Sequence, residues 1–233
     1  MKRLLLTVTT ALLLSVGAAL AGPTEDGNAA YERGDYAEAV RQFRLGAAQG
    51  NVHAQTLLGL AYDRGEGVTK DYAEAVKWYH LASMRGYAIA QASLGDMYRR
   101  GLGVPQDDAE AIKWFRLAAA QGVAIAQASL GEMYLYGQGA ISDYGEAAKW
   151  NRLAAAQGIA SAQASLGVMY ANGQGVAQDY VRAHMWLNLS GASGDALGTT
   201  NRDIIAARMT PQQIAEAQTM ARECQRHSFK GCD

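Results

Sequence analysis

The chain is poor in three features that mark special classes of protein. It has only 3 prolines in 233 residues, and its 26 glycines come without serine- or glutamine-rich runs, so the composition does not match a disordered or collagen-like chain. Charges nearly balance at a net charge of −1, without the clustered basic excess expected of a nucleic-acid-binding domain. Only 2 cysteines occur, too few for a disulfide-rich scaffold. The composition is that of an ordinary soluble domain.

The first residues carry the features of an export signal. Lys2 and Arg3 precede an apolar run that ends at Leu20, and residues 19–21 fit the small-x-small cleavage pattern. The apolar run is short and polar sequence follows at once, which favours a cleaved signal peptide over residues 1–21 rather than a transmembrane anchor. The sequence therefore predicts an exported protein, periplasmic or secreted, with no membrane span after cleavage.

What the chain has in abundance is internal repetition. Its four tryptophans recur at one interval of 36 residues, at Trp78, Trp114, Trp150 and Trp186. The Leu58-Gly59 pair, Tyr62 and Asp71 have copies at the same interval. Four columns that hold one period without insertions indicate a repeat architecture, and the repeated turns account for much of the glycine.

Each repeat is predicted to fold as two helices. In the first unit, apolar residues at helical spacing run from Val52 to Arg64, and Gly65 follows in the position where a left-handed residue ends a helix. Asp71 is the expected N-cap of the second helix, and Glu74 three residues later completes the pattern of a capping box. Gly86 marks the end of the second helix.

A glycine lies in the middle of the first helix of every repeat. Gly59 costs roughly 1 kcal/mol relative to alanine at such a position, so its recurrence requires a reason. The absence of a Cβ predicts that a neighbouring backbone, or a large Trp or Tyr side chain, packs directly against the helix axis.

The combined pattern resembles a known repeat family. It reads A-x-x-x-L-G-x-x-Y-x-x-G-x-G-V-x-x-D-Y-x-E-A-x-x-W-Y-x-x-A and closely resembles the Sel1-like repeat, a relative of the tetratricopeptide repeat. Four full units are assigned to residues 51–86, 87–122, 123–158 and 159–194. The resemblance implies an all-α fold in which antiparallel helix pairs stack into a right-handed superhelical solenoid. Repeat physics agrees, because one helix pair cannot bury its own apolar face.

The two ends of the array are predicted to differ from the repeats. Residues 22–50 are interpreted as an N-terminal partial repeat, since Tyr36 and Phe43 occupy second-helix columns. Residues 195–233 are interpreted as a C-terminal cap, in which a polar stretch leads to a capping helix. Thr210 as N-cap and Pro211 as the first helical residue mark the start of that helix.

Cys224 and Cys232 are the only cysteines. An even count in an exported protein favours a disulfide over two free thiols. A zinc site is disfavoured, because only His227 lies nearby and zinc usually takes four ligands.

No pattern typical of catalysis was found in the sequence. It contains no nucleophile elbow, no S-x-x-K pattern and no phosphate-binding loop. The four histidines share no repeat column, and the carboxylates Asp71 and Glu74 are already assigned to helix capping. The prediction is therefore a protein without catalytic residues, cofactor or metal, and without affinity for nucleic acid.

The candidate partner-binding surface is predicted from the columns that vary. In related helical solenoids the first helix of each pair lines the concave face. Three varying columns lie three or four residues apart on that helix and so share a face. In the middle of the array they supply Asp96, Arg99, Arg100, Glu132, Leu135 and Tyr136. Mixed charge with an aromatic side chain suits an extended peptide or a protein edge, although an ordinary solvated surface has the same composition.

Three functions of different classes follow as hypotheses. The preferred one is a non-enzymatic scaffold or adaptor that binds a protein or peptide, in keeping with the family's link to the assembly of complexes. The alternative is an envelope factor that binds peptidoglycan or another polysaccharide. A β-lactamase-like hydrolase is weaker, because the Sel1-like proteins described as acting on β-lactams carry cysteine pairs in their repeats, and residues 22–223 contain no cysteine.

Overall fold

The computed structural model describes residues 22–232, so the predicted signal peptide lies outside the described residues. Within that range every regular element is a helix, as expected for an all-α repeat fold. The bounds are α1 Pro23–Glu32, α2 Tyr36–Ala48, α3 Val52–Arg64, α4 Tyr72–Ser83, α5 Ala88–Arg100, α6 Asp108–Ala120, α7 Ala124–Tyr136, α8 Tyr144–Ala155, α9 Ala160–Asn172, α10 Tyr180–Ala192, α11 Ala196–Ala206 and α12 Pro211–Arg226.

The chain forms two compact units. The first comprises the described residues up to Ala90 together with Leu102–Val104, and in it α1, α2, α3 and α4 pack in sequence order. The second comprises Gln91–Gly101 and the chain from Pro105 onward. There α7 pairs with α8 and α9 with α10, while α11 and α12 both pack against α10. Stacked helix pairs therefore build the core of each unit.

The second helices start where the aspartate column predicts. Asp71 accepts hydrogen bonds from the backbone N–H groups of Ala73 and Glu74, at 3.0 and 3.1 Å, and its copies cap α6, α8 and α10. The expected return bond from the glutamate is not formed. The N–H of Asp71 donates instead to the carbonyl oxygen of Tyr62 at 2.9 Å, and Glu74 forms an i,i+3 ion pair with Lys77.

The mid-helix glycines allow a side chain of the second helix to pack directly against the backbone of the first, as predicted from their low helix propensity. A Cβ on Gly59 would lie 2.8 Å from the ring of Tyr79, and a Cβ on Gly95 would lie 2.9 Å from the ring of Phe115. Both rings are fully buried and rest on the helix backbone. The prediction of a tyrosine at this contact is confirmed. We call these residues and their copies the floor column, which contains Phe43, Tyr79, Phe115, Asn151 and Leu187.

The tryptophans precede the floor column and do not belong to it. Trp78, Trp114 and Trp150 are only partly buried, so of the predicted alternatives the tyrosine packs on the glycine and the tryptophan does not. Adjacent helix positions differ by about 100° in direction, which turns these side chains toward the flank of the pair. Trp186 alone is almost completely buried.

A column of buried glutamines connects successive helices. Gln127 donates a hydrogen bond from Nε2 to the carbonyl oxygen of Ala119 at 3.1 Å, and Gln163 makes the same bond to Ala155 at 3.2 Å. Each bond adds a second donor to a carbonyl at the end of the preceding second helix, which already accepts the backbone N–H of Gly122 or Gly158. This column keeps the period of 36 residues but was not among the predicted structural columns.

The N-terminal partial repeat contains two helices. Helix α1 packs on α2, and a Cβ on Gly27 would meet the ring of Phe43 at 2.5 Å, as Gly59 meets Tyr79 in the next pair. The connection from α1 to α2 is only Arg33-Gly34-Asp35, shorter than the seven-residue turns of the full repeats. That shorter turn shifts Gly27 out of the period.

The C-terminal cap has one helix more than the sequence suggested. The stretch described above as polar forms α11, with Asp195 as its N-cap. The capping helix begins at Pro211 as predicted, and Thr210 and Gln213 exchange both bonds of a capping box. The cap covers side chains that remain open in the repeats. Leu117 and Leu153 are half-exposed on their second helices, whereas their copy Leu189 is buried beside the cap.

The cysteine pair lies at the end of the capping helix. The sulfur atoms of Cys224 and Cys232 are within bonding distance, and their Cα atoms are 5.2 Å apart, inside the range that disulfides occupy. The backbone therefore accommodates the predicted bridge.

Within residues 22–232, each helix is too short or too polar to span a lipid bilayer.

Candidate partner-binding surface

The predicted surface residues lie in the second unit, on the C-terminal halves of α5 and α7. On α5, one carboxylate bridges two cations. Asp96 lies 2.9 Å from Nη2 of Arg99 and 3.0 Å from Nη1 of Arg100, through separate oxygens. The spacing i, i+3 and i+4 places the three side chains on one helix face. This group carries a net charge of +1 and is already ordered by its own ion pairs.

The residues on α7 differ from one another in exposure. Tyr136 at the end of the helix is 68% exposed, and Glu132 one turn earlier is also exposed. Leu135 is partly buried and packs against the core cluster around Leu130 and Met133. The open part of α7 is thus a carboxylate and a phenol, while Leu135 belongs to the edge of the core.

Glu132 and Tyr136 line a groove that sequence reasoning did not find. The α7–α9 groove lies between the first helices of the third and fourth repeats and has a volume of about 300 Å³. Helix α7 contributes Ile125 and Ser129 besides the two predicted residues, and α9 contributes Ser161 and Ser165. Asn151 of the floor column forms part of its base. The structure does not place Asp96, Arg99 or Arg100 in this groove.

The signal for the groove was present in the sequence as a departure from the repeat. Where the other pairs have Phe43, Tyr79, Phe115 or Leu187, the third repeat has Asn151. A side chain that is smaller and polar at the base of a helix pair leaves space and a hydrogen-bonding group there. The period identified the column, but only the fold shows that it forms the base of the groove.

A second cavity, of about 310 Å³, lies within the first unit between α1, α2 and α3. Its walls are mostly apolar, with Phe43 at the base and Leu57 and Leu60 on α3. At its edge the hydroxyl of Tyr31 donates a hydrogen bond to Glu66 at 2.8 Å. That bond, with a contribution from burial, raises the pKa of Tyr31 above its usual value.

The titratable groups with shifted pKa values serve structural contacts. Hydrogen bonds from Arg41 and Gln42 lower the pKa of Glu38 to about 2. Burial lowers the pKa of His184 below that of a free imidazole, and the positive charge of Arg202 acts in the same direction. Nδ1 of His184 is buried without a hydrogen-bond partner in the described part of the chain. No group of three or more His, Cys, Asp or Glu within residues 22–232 is arranged to hold a metal ion.

Comparison with known proteins decides the family. The family model described as "Sel1 repeat" matches residues 52–87, 88–123, 124–159 and 160–195. The chain belongs to the Sel1 repeat family. The resemblance inferred from the tryptophan, tyrosine and aspartate columns is therefore confirmed, and with it the all-α repeat fold.

Solved structures of Sel1 repeat proteins agree with this assignment. The protein c5321, a protective antigen of uropathogenic Escherichia coli strains with an SLR fold, is 34% identical with a TM-score of 0.82. The alignment covers 94% of this chain but 49% of that one, so this chain spans about half the length of that relative. A Sel1 repeat protein from Oxalobacter formigenes is 32% identical over 85% of this chain and 83% of its own, with a TM-score of 0.76. No curated protein matches the chain.

Membership of the family sets the class of function. Sel1 repeat proteins are typically protein-interaction scaffolds, and the family is generally non-catalytic. The open first helices are consistent with that class, because a stack of helix pairs buries its fixed columns and exposes its variable ones.

Proposed function

We propose that this chain is an exported, non-enzymatic protein-interaction scaffold, and that it binds its partner through the first-helix surface of the second unit. We define this surface by the solvent-facing side chains of α5, α7 and α9. The main support is the contrast on α7, where Leu130 and Met133 are fully buried while Glu132 and Tyr136 face an open groove. The fixed positions hold the fold together and the variable positions are left for binding.

The charge pattern of this surface favours a polar partner segment. The group of Asp96, Arg99 and Arg100 carries a net positive charge, whereas Glu132 has no ion pair within residues 22–232. Opposite charges displayed on neighbouring first helices steer a partner and fix its register more than they add to affinity. A segment with both acidic and basic residues matches this arrangement.

Site-specific photo-crosslinking in cells tests the proposed surface. A benzophenone amino acid replaces Tyr136. This replacement keeps an exposed aromatic side chain at the end of α7. The matched control places the same amino acid at Leu117, which is half-exposed on a second helix. We expect a discrete protein adduct from position 136. The adduct from position 117 should be at least tenfold weaker, measured by immunoblot and mass spectrometry.

A charge reversal makes the crosslinking test more specific. Arg99→Glu with Arg100→Glu converts the group around Asp96 from net positive to strongly negative without changing a buried core residue. We expect this variant to lose most of the adduct at position 136 while its circular dichroism spectrum is unchanged. Equal adducts from both positions, or an adduct indifferent to the reversal, would contradict the assignment of this surface.

Export and the disulfide are tested together by intact mass spectrometry. The full chain is expressed in a bacterial host, and the protein is recovered without reductant from the periplasm and the medium. We expect a chain that begins at Gly22, with a mass lower by two hydrogen atoms than that of the reduced form. The variant Cys224→Ser should lack this difference. Full-length chain with free thiols in the cytoplasmic fraction would contradict both proposals.

A further inference from the structure

The third repeat has an unusual base beneath its open surface. Asn151 occupies the floor column, in which the other pairs have a phenylalanine, a tyrosine or a leucine. It is only 1% exposed, yet it lines the α7–α9 groove. A buried amide in a column of large apolar side chains gives up packing and desolvates polar atoms, so it calls for a compensating partner.

The protein itself supplies little of that compensation. The Asn151 amide lies flat against Gly131, where a Cβ would be 2.5 Å from Oδ1. Its side-chain nitrogen has one hydrogen bond, to the sulfur of Met169 at 3.8 Å, and sulfur is a weak acceptor. Oδ1 accepts no hydrogen bond from any group in residues 22–232. Oδ1 is not fully enclosed, so a donor that enters the groove can reach it.

Other acceptors in the groove are equally open. The hydroxyl groups of Ser129, Ser161 and Ser165 make no hydrogen bond to the described part of the protein, and each has lone pairs to offer. Glu132 is the only charged side chain of the lining and forms no ion pair with the described residues. The lining therefore has a net negative charge and an excess of acceptors, which favours a cationic ligand with several donors.

Apolar walls accompany these acceptors. Ile125 and Ile159 line the groove, and Ile125 is largely exposed to solvent. An exposed isoleucine at the wall of this groove offers a surface for methylene groups. The ligand that fits has an apolar stem and a cationic head with many N–H groups.

We propose that the α7–α9 groove binds an arginine side chain of an extended segment of the partner protein. Its methylene stem lies along Ile125 and Ile159, and its guanidinium reaches the acceptors of Asn151 and Glu132. Arginine has five donors in a planar head that is more weakly hydrated than an ammonium group, so it loses less on entering the groove than lysine does. The inference rests on the proposed function, because it names the chemistry that the scaffold recognises.

Nuclear magnetic resonance titration tests the groove directly. Residues 22–233, labelled with ¹⁵N, are titrated with N-acetyl-arginine methylamide, and chemical shifts are followed in ¹H–¹⁵N spectra. The matched ligand is the citrulline analogue, which has the same length and shape but no charge and fewer donors. We expect saturable shifts at Ser129, Glu132, Ser165 and the side-chain amide of Asn151, with millimolar affinity. Citrulline should bind roughly tenfold more weakly.

Two variants separate the contribution of the Glu132 charge from that of the Asn151 amide at the bottom of the groove. Glu132→Gln keeps the shape of an exposed residue and removes the charge, so the preference for arginine over citrulline should disappear. Asn151→Leu introduces the residue found at the equivalent position 187. It should weaken arginine binding roughly tenfold, because it removes the hydrogen-bond acceptor at the bottom of the groove. The control Glu216→Gln makes the same charge change on the exposed face of α12 and should bind as the parent does.

Several results would overturn the proposal. Equal affinity for citrulline and arginine, unchanged binding by Glu132→Gln, or stronger binding of N-acetylglucosamine would each assign the groove to another chemistry. The two proposals fail separately. Arginine binding without a crosslink at position 136 would refute the partner surface, whereas a crosslink without arginine binding would refute only the arginine groove.

Discussion

Replacing Gly175 with alanine is expected to destabilise the second unit by about 2–5 kcal/mol. Gly175 is the second glycine of the turn between α9 and α10, and its φ angle is +68°. A left-handed conformation costs a residue with a Cβ about 1–2 kcal/mol. The Cβ would also overlap the backbone carbonyl group of Tyr144, at the start of α8. Because the obstacle is backbone, no rotamer change relieves it.

The control for this prediction is Gly122→Ala. Gly122 also has a positive φ angle, +88°, but an added Cβ there has no neighbour within 4 Å. We expect the control to lose only the free energy that a left-handed conformation costs a residue with a Cβ, about 1–2 kcal/mol. Urea unfolding of both variants, followed by far-ultraviolet circular dichroism, measures the difference. Equal losses would mean that the contact between the turn and α8 adjusts without cost.

The same contact recurs once per repeat. Cβ atoms added at Gly67, Gly103 and Gly139 would each overlap the backbone at the start of the second helix of the preceding pair. The glycine column thus sets how closely the turn of one repeat approaches the preceding helix. Both glycines of each turn have positive φ, so the second one is required by its backbone conformation as well as by this contact between pairs.

Local features of the fold were predictable because their causes are local. Asp71 caps α4 through backbone groups two and three residues away, and Gly65 ends α3 by its own backbone conformation. The same holds for Thr210 at the start of α12. Backbone bonds between the end of one helix and the start of the next are less predictable, and Glu74 shows why. It fits the capping-box pattern, but the N–H of Asp71 that should donate to it is already bonded to the carbonyl oxygen of Tyr62, nine residues earlier.

Contacts between helices could not be derived from the period alone. A strict interval shows that Trp78 and Tyr79 each have equivalents, but not which of the two columns packs on Gly59. The α7–α9 groove was missed for the same reason, since the chemistry of Asn151 depends on its position at the base of the groove. Glu132 and Tyr136 were found because surface positions on one helix follow from spacing within that helix.

Replacing Trp186 with alanine is expected to cost about 3–5 kcal/mol, far more than the same change elsewhere in the tryptophan column. Trp186 is 1% exposed and lies in one core cluster with Ile205 of α11 and Ala217 and Ala221 of α12. The cap buries this side chain, as it buries Leu189 on the same helix. Loss of the indole would leave a cavity at the junction of α10 with both cap helices.

Trp150→Ala is the matched comparison, since Trp150 has the same place in the repeat without a cap above it. Its Nε1 donates to Glu146 at 3.0 Å, and Lys149 lies 5.1 Å from the ring centroid, both at a partly exposed site. We expect a loss of about 1–2 kcal/mol. Urea unfolding by circular dichroism compares the two variants without relying on tryptophan fluorescence. If Trp150→Ala proved as costly as Trp186→Ala, the tryptophan column would be core in every repeat, and burial of Trp186 by the cap would not explain the difference.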